Sequence, residues 1–119
     1  MERRLEKGDV VLAALPEQVP SMHEQQGTRP AVVVGVLPGR TRYQLAMIAP
    51  LTTKSGKWFD LNPIVYPVLA AGMGDLKQDS IVLLDQVRAI DGRRLLQYIG
   101  KLTEEEYAPI QSGVSRIFT

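Results

Sequence analysis

The chain has 119 residues, a formal net charge of +1, one histidine and no cysteine, which excludes disulfides and thiolate metal sites. Its 45% hydrophobic and 23% charged residues are typical of a globular domain and exclude a disordered tail or a strongly basic nucleic-acid coat. No stretch holds the ~20 apolar residues of a membrane span, so we expect one domain over residues 1–119, soluble, cytoplasmic and not in contact with a membrane.

The first half of the chain predicts three strands and one long loop. Residues 8–15 form a short valine-rich run without helical period, which is typical of a buried strand. Residues 16–28 carry two prolines, a glycine and many polar side chains, and loops of this length are usually functional or mobile. Residues 29–37 and 42–51 predict the second and third strands, with a turn at 38–40 between them.

Three further strands are predicted after a turn at Ser55 and Gly56. Residues 63–71 read as an edge strand because Pro63 and Pro67 cannot donate to a ladder. Residues 80–90 predict one continuous strand that ends at an Asp-Gly turn, and residues 94–102 predict a sixth.

The last segment, residues 103–118, changes to a helical period. Thr103 and Glu106 have the spacing of a capping box. Pro109 and Gly113 lower the intrinsic stability of this helix, so its packing must stabilise it. The apolar face consists of Tyr107, Ile110, Val114 and Ile117. Together these elements predict a mainly β protein with a C-terminal helix, built as a small antiparallel barrel or curled sheet.

The composition also limits the chemistry. His23 is the only histidine, so a nucleophilic triad, paired-histidine catalysis and a histidine zinc site are mostly excluded. A magnesium site is conceivable from four acidic residues near strand ends, although such residues are usually solvated surface: Asp75, Asp79, Asp85 and Asp91. No phosphate-binding P-loop is present.

Arg29 is the residue most suggestive of function. It follows the long loop and begins the second predicted strand, so its planar set of donors suits a phosphate or a carboxylate. A salt bridge at the rim of the barrel would explain the same position.

Four blocks together resemble the MazF/PemK (Kid) toxins of bacterial toxin–antitoxin systems. They are KGDVVLAALP (7–16), EQQGTRPAVVVG (24–35), IAPLTT (48–53) and DSIVLLDQVRAID (79–91). The resemblance implies a homodimer of SH3-like (CcdB/MazF/Kid-like) barrels in the cytoplasm. It also implies a metal-independent endoribonuclease that needs no cofactor and cuts single-stranded RNA at short sequences.

The same resemblance implies the site residues. Arg29 and Thr52 match the catalytic pair, with Thr53 as the alternative if the alignment shifts by one. Glu24 and Gln25 match the loop that contacts RNA, and Gln86 matches a base-contacting glutamine. An antitoxin would cover this groove with a disordered, acidic and apolar C-terminal segment.

The residues suit this chemistry because RNA supplies its own 2′-hydroxyl nucleophile. Arg29 and Thr52 can stabilise charge on the phosphate, and we expect Glu24 or an ordered water to assist proton transfer. Lys54 lies close to Trp58 in the sequence, a combination suited to phosphate contact and base stacking. Trp58 could instead cap the barrel.

The chain departs from the family pattern in its first loop, which is about two residues longer. Thr28 stands where some members have histidine, so a cut-site preference is not transferable. Two other functions stay open: a poison of the same fold that binds gyrase, as CcdB does, and a catalytically silent SH3-like interaction domain.

Overall fold

The computed structural model describes residues 4–16, 27–54 and 60–118. Within these ranges the chain forms seven strands, three single turns of 3-10 helix and a C-terminal helix. The strands are β1 Asp9–Leu15, β2 Gly27–Val36, β3 Leu45–Thr52, β4 Val68–Leu69, β5 Ser80–Val82, β6 Arg88–Asp91 and β7 Leu95–Lys101. The 3-10 turns are Met73–Asp75, Leu84–Gln86 and Gly92–Arg94, and the C-terminal helix is Glu104–Ile117.

The strands form one curled antiparallel sheet in the order β4-β5-β3-β2-β1-β7, with β6 paired to β3. Strand β3 is the branch point, because its first half pairs with β6 and its last two residues pair with β5. This half-barrel with one C-terminal helix confirms the predicted fold class.

Both faces of the central strands are buried, which explains why their sequences are nearly continuous apolar runs. Adjacent residues alternate between two cores: Val32 and Ala49 belong to the core beneath the C-terminal helix, and Val33 and Ile48 belong to the core on the opposite face. The central strands are therefore rigid elements from which a site can be built.

The C-terminal helix begins with the predicted capping box. The Thr103 hydroxyl accepts the Glu106 N–H at 3.1 Å, and the Glu106 carboxylate accepts the Thr103 N–H at 2.8 Å. Tyr107 and Ile110 are buried, as predicted, whereas Ile117, the last residue of the helix, is 38% exposed.

Two predicted strands differ in the structure. Of the predicted strand 63–71, only Val68–Leu69 is extended. The preceding residues turn instead, because the Asn62 carbonyl accepts the N–H groups of Val65 and Tyr66.

The predicted strand 80–90 is two strands, β5 and β6, separated by the turn Leu84–Gln86. The interruption lies beside Pro50 of β3, whose carbonyl accepts the Leu83 N–H at 2.9 Å. Pro50 has no N–H to return, so an unbroken ladder cannot form there. Gln86 therefore lies on a turn and not on a strand.

A buried carboxylate joins the N-terminal turn to β7. Asp9 is 1% exposed and accepts the Glu6 N–H at 2.8 Å and the Lys101 ammonium at 3.4 Å. The hydrogen bond from Lys101 to Glu6 is the main cause that raises the pKa of Lys101.

Of the helices in the part of the chain that the structure describes, none is long and apolar enough to cross a bilayer.

Candidate active site

Arg29 is the third residue of β2, not the first, because the strand begins at Gly27. It pairs with Ala13 of β1 and is half-buried. The neighbouring Pro30 lies inside the strand, which a proline tolerates at an edge. Residues 27–30 of β2 pair with β1 but not with β3, because the pairing with β3 starts only at Ala31. The side of β2 that faces β3 is therefore a free strand edge at Pro30.

Thr52 is the last residue of β3 and is 7% exposed. It pairs with Ile81 of β5, and its hydroxyl oxygen accepts the backbone N–H of Lys54 at 3.2 Å. A threonine hydroxyl can accept this bond and still donate its own proton. The bond therefore orients Thr52 as a donor.

The register of β2 and β3 relates Arg29 to Thr52. The last paired residues are Ala31 and Pro50, and the two candidates each lie two residues beyond them. Residues two apart on a strand share a face, and residues opposite each other across a pair share it too. An extension of the same register would set Arg29 opposite Thr52 on one face of the sheet.

The β2–β3 ladder ends at the pair of Ala31 and Pro50, next to Pro30 of β2. Pro30 has no N–H with which to continue the hydrogen bonding between the strands. Beyond this point β2 stays paired with β1, and β3 turns to β5. The two strands therefore carry Arg29 and Thr52 at an end where they are no longer paired to each other.

Gln86 is joined to this end of β3 through the backbone. Its N–H donates to the Leu83 carbonyl at 3.0 Å, and the Leu83 N–H donates to the Pro50 carbonyl at 2.9 Å. Gln86 is half-buried. Pro50 thus links the turn that carries Gln86 to the strand that carries Thr52.

The remaining predicted site residues divide into two groups. Thr53 and Lys54 follow β3 directly and are exposed, which suits contact with a substrate. The others lie outside the residues that the structure describes: His23, Glu24, Gln25 and Trp58.

The sequence reasoning missed one pair of polar residues near Gln86. The Tyr66 hydroxyl donates to the Asp85 carboxylate at 2.7 Å, and this bond is the main cause that raises the pKa of Tyr66. The two residues are 19 positions apart, so no local pattern announces the contact. Only the position of Asp85, next to Gln86, could have drawn attention to it.

Three of the four aspartates considered for magnesium have other partners. Asp79 accepts the Ala71 N–H, Asp91 binds Arg93, and Asp85 binds Tyr66. Across residues 4–16, 27–54 and 60–118, no three acidic, histidine or cysteine side chains come together as metal ligands. The four-aspartate magnesium hypothesis therefore has no geometric support.

An open hollow of about 840 Å³ lies at the other end of β2, lined in part by Leu37, Leu45 and Leu95. Of the predicted site residues in the described part of the chain, none lines it. At ~3.3 Å per residue, its Val36 wall is roughly 23 Å along the strand from Arg29. Arg29 and Thr52 thus lie at the end where β2 and β3 part, and not in this hollow.

Comparisons with known proteins identify the family of the chain. Residues 6–118 match the family model described as PemK-like, MazF-like toxin of type II toxin–antitoxin system. A curated relative, Endoribonuclease EndoA of Bacillus subtilis (strain 168), is 34% identical over 101 residues, which are 85% of this chain and 83% of the relative.

Two solved structures share the fold. The crystal structure of MazF (Form-I) from Deinococcus radiodurans has a TM-score of 0.72 at 20% identity and covers 98% of this chain and 97% of its own. The MazE–MazF crystal structure (Form-II) from the same organism has a TM-score of 0.66 at 22% identity, covering 95% and 94%. At these identities the two structures support the fold alone.

Proposed function

Because the chain belongs to the PemK-like, MazF-like toxins of type II toxin–antitoxin systems, we propose that it is an endoribonuclease specific for single-stranded RNA. The observation that carries the proposal is the register of β2 and β3, which, if continued two residues past its last pair, would set Arg29 and Thr52 on one face. The curated relative EndoA, which bears the name endoribonuclease, supports the reaction class.

In the proposed reaction the 2′-oxygen of the RNA attacks the adjacent phosphorus and displaces the 5′-oxygen of the next nucleotide. The products are a 2′,3′-cyclic phosphate and a free 5′-hydroxyl, and the proton lost by the 2′-hydroxyl is balanced by the one that the 5′-oxygen gains. No nucleophile from the protein is needed, so the protein must position the phosphate and stabilise its developing charge.

Arg29 would bind the nonbridging phosphate oxygens through two parallel N–H groups. Thr52 would donate its hydroxyl proton to the same phosphate, because its oxygen already accepts the Lys54 N–H. Arginine is a poor base at neutral pH. We therefore assign proton transfer to Glu24 or to an ordered water, and an unchanged pH profile in Glu24→Gln would exclude the glutamate.

Substrate contacts would come from the segments on either side of this pair. Thr53 and Lys54 lie just beyond β3, and Lys54 can bind a phosphate. Trp58 would stack on a base, and Gln86 would hydrogen-bond to a base edge. Glu24 and Gln25 would contact RNA from the first loop.

We further propose that the protein is a homodimer and acts as a single toxin domain. An antitoxin would inhibit it by laying an acidic and apolar C-terminal segment across the Arg29 groove. Membership of a family of type II toxin–antitoxin toxins supports a partner of this kind.

The test is to incubate the purified protein with a long defined RNA in EDTA and to map the new 5′ ends. We expect cuts at a short recurring sequence and 5′ ends that polynucleotide kinase labels without prior phosphatase treatment. Intact RNA, together with growth arrest by an Arg29→Ala variant, would instead favour the gyrase-binding or silent-domain alternative.

A further inference from the structure

The connection between β2 and β3, residues 37–44, carries positive charge that the proposed reaction leaves unexplained. Its sequence, LPGRTRYQ, holds Arg40 and Arg42 and no acidic residue, in a chain whose formal net charge is only +1. Both arginines are exposed, and within the described parts of the chain neither forms an ion pair. The charge of this connection can therefore attract an anionic partner.

Tyr43 adds an aromatic surface next to this charge. The residue is 57% exposed, and the Arg42 guanidinium lies 4.9 Å from the centroid of its ring. This cation–π contact orders the two side chains against each other and leaves the arginine charged. The Thr41 hydroxyl donates to the Tyr43 carbonyl, so the backbone between the arginine and its neighbours is also held. The connection thus presents a cation and an aromatic ring side by side.

The surroundings of the connection favour an anion as well. The open hollow at this end of β2 has Arg4 and Arg93 in its wall, and among the described residues no acidic side chain lines it. Asp91, which pairs with the first residue of β3, accepts two hydrogen bonds from the Arg93 side chain, at 3.2 and 3.1 Å. This ion pair offsets the repulsion that the carboxylate would exert on an anion.

Exposed arginines beside an exposed ring suit single-stranded RNA. Arginine binds phosphate oxygens through two parallel N–H groups. A base of any identity can stack on an aromatic ring or on a guanidinium plane. An acidic peptide would match the charge alone, whereas RNA matches the charge and the ring together.

The connection is distant from the proposed reaction on the same chain. Val36, the last residue of β2, is seven positions from Arg29 along one strand, or roughly 23 Å at ~3.3 Å per residue. Arg40 and Arg42 follow Val36, so they do not contact the phosphate that this Arg29 would bind. RNA that ends near the cut site cannot reach both places, and longer RNA can.

We propose that the β2–β3 connection is a second RNA-binding surface, on which Arg40 and Arg42 hold phosphates outside the cut site and Tyr43 stacks on a base. This inference rests on the proposed ribonuclease function and adds long RNA as the preferred substrate. The surface lowers KM for long RNA and leaves kcat unchanged, because contacts remote from the reacting atoms bind the substrate and the transition state equally.

The test compares two RNAs that share one identical cut site, a short oligonucleotide and a longer RNA that continues unpaired on both sides. The length preference is the ratio of kcat/KM for the long RNA to that for the short one, measured in EDTA at several salt concentrations. The variants are Arg40→Gln/Arg42→Gln, Tyr43→Ala and the charge-preserving Arg40→Lys/Arg42→Lys. Lys77→Gln is the control, because it removes an exposed cation from a different loop. Thermal melting shows that each variant is folded.

We expect the wild type and Lys77→Gln to prefer the long RNA. With two more phosphates held, at a slope of about −0.7 each, the length preference should rise about sevenfold when salt is lowered fourfold. Together with Arg29 and Lys54 these contacts give a total slope of about −2.8 on the long RNA.

The variants should divide according to charge. Arg40→Gln/Arg42→Gln should have a length preference that stays constant with salt within about twofold, and kcat on the short RNA should equal that of the wild type. Arg40→Lys/Arg42→Lys should retain the salt dependence. Tyr43→Ala should lower the length preference by a similar factor at every salt concentration, because stacking involves no phosphate.

The outcomes separate the two claims. If the wild type cuts neither RNA, the proposed function fails. If the wild type cuts both RNAs without a length preference, or if Arg40→Gln/Arg42→Gln keeps the wild-type preference and its salt dependence, the second RNA-binding surface is wrong. Either of these results would instead favour a protein partner for the connection.

Discussion

Tyr107 gives the sharpest stability experiment, because its hydroxyl is buried without compensation. The residue is 7% exposed, and its hydroxyl has no hydrogen-bond partner within the described parts of the chain. A buried hydroxyl without a partner costs about 1–3 kcal/mol. Tyr107→Phe removes the hydroxyl and keeps the ring, so the free energy of unfolding should rise by about 1 kcal/mol at pH 7, and Tm by about 4 °C.

The same burial makes the effect depend on pH. Burial raises the pKa of Tyr107 from 10.0 to about 12. Above pH 10 the unfolded chain releases this proton while the folded chain retains it, so wild-type stability falls as pH rises from 10 to 12. At 1.36 kcal/mol per pKa unit the loss approaches about 3 kcal/mol above pH 12, and Tyr107→Phe cannot show it.

The assay is urea unfolding followed by circular dichroism, at intervals from pH 8 to pH 12, for the wild type, Tyr107→Phe and the exposed control Tyr43→Phe. We expect the difference in free energy of unfolding between Tyr107→Phe and the wild type to grow above pH 10. The difference between Tyr43→Phe and the wild type should stay constant. A Tyr107→Phe advantage that does not change with pH would refute the reasoning, as would a variant less stable than the wild type at pH 7.

Three further outcomes can be measured on the same protein. Gly113→Ala should lower the free energy of unfolding in urea by about 1–3 kcal/mol, because its Cβ would meet the Ile64 carbonyl oxygen at 2.5 Å. This loss is expected although alanine favours helices, and the control Ser112→Ala on the exposed face should not lower stability. Thr103→Ala should lose about 1 kcal/mol with the cap, and a thermal melt unchanged within error would argue against the capping box. Because few cations would hold phosphates at once, a plot of log kcat/KM for RNA cleavage against log salt should have a slope shallower than about −3, and a steeper one would mean a larger basic footprint.

The sequence predicted those features that depend on local chemistry. The capping box follows from two residues three apart, and the first strands follow from runs of valine with few polar interruptions. The contact between Tyr66 and Asp85 is not local, so no pattern within either segment could reveal it.

The two wrongly predicted strands, 63–71 and 80–90, have a shared physical cause in proline. The apolar residues near Pro63 and Pro67 predicted a strand, but the two prolines have no N–H to donate to one. This segment instead forms a turn in which Val65 and Tyr66 donate their N–H groups to the Asn62 carbonyl. Similarly, the run from 80 to 90 looked continuous, and its interruption is imposed by Pro50 on the neighbouring strand. A break caused by a partner strand is invisible until the partner is known.

The candidate site was predictable only in combination with a family resemblance. Position alone left Arg29 open between a phosphate ligand and a rim salt bridge, and the matching blocks favoured the first. The observed register of β2 and β3 ends two residues before Arg29 and Thr52, and its continuation would set both on one face.

The most direct measurement is single-turnover RNA cleavage by Arg29→Gln, Thr52→Val and the double variant, all in EDTA. If both side chains stabilise one phosphate, each single change should lower the rate constant about 10²–10³-fold, and the double change should lower it by much less than the product. Single variants that cleave at the wild-type rate, or effects that multiply independently, would contradict a shared site at the end of β2 and β3.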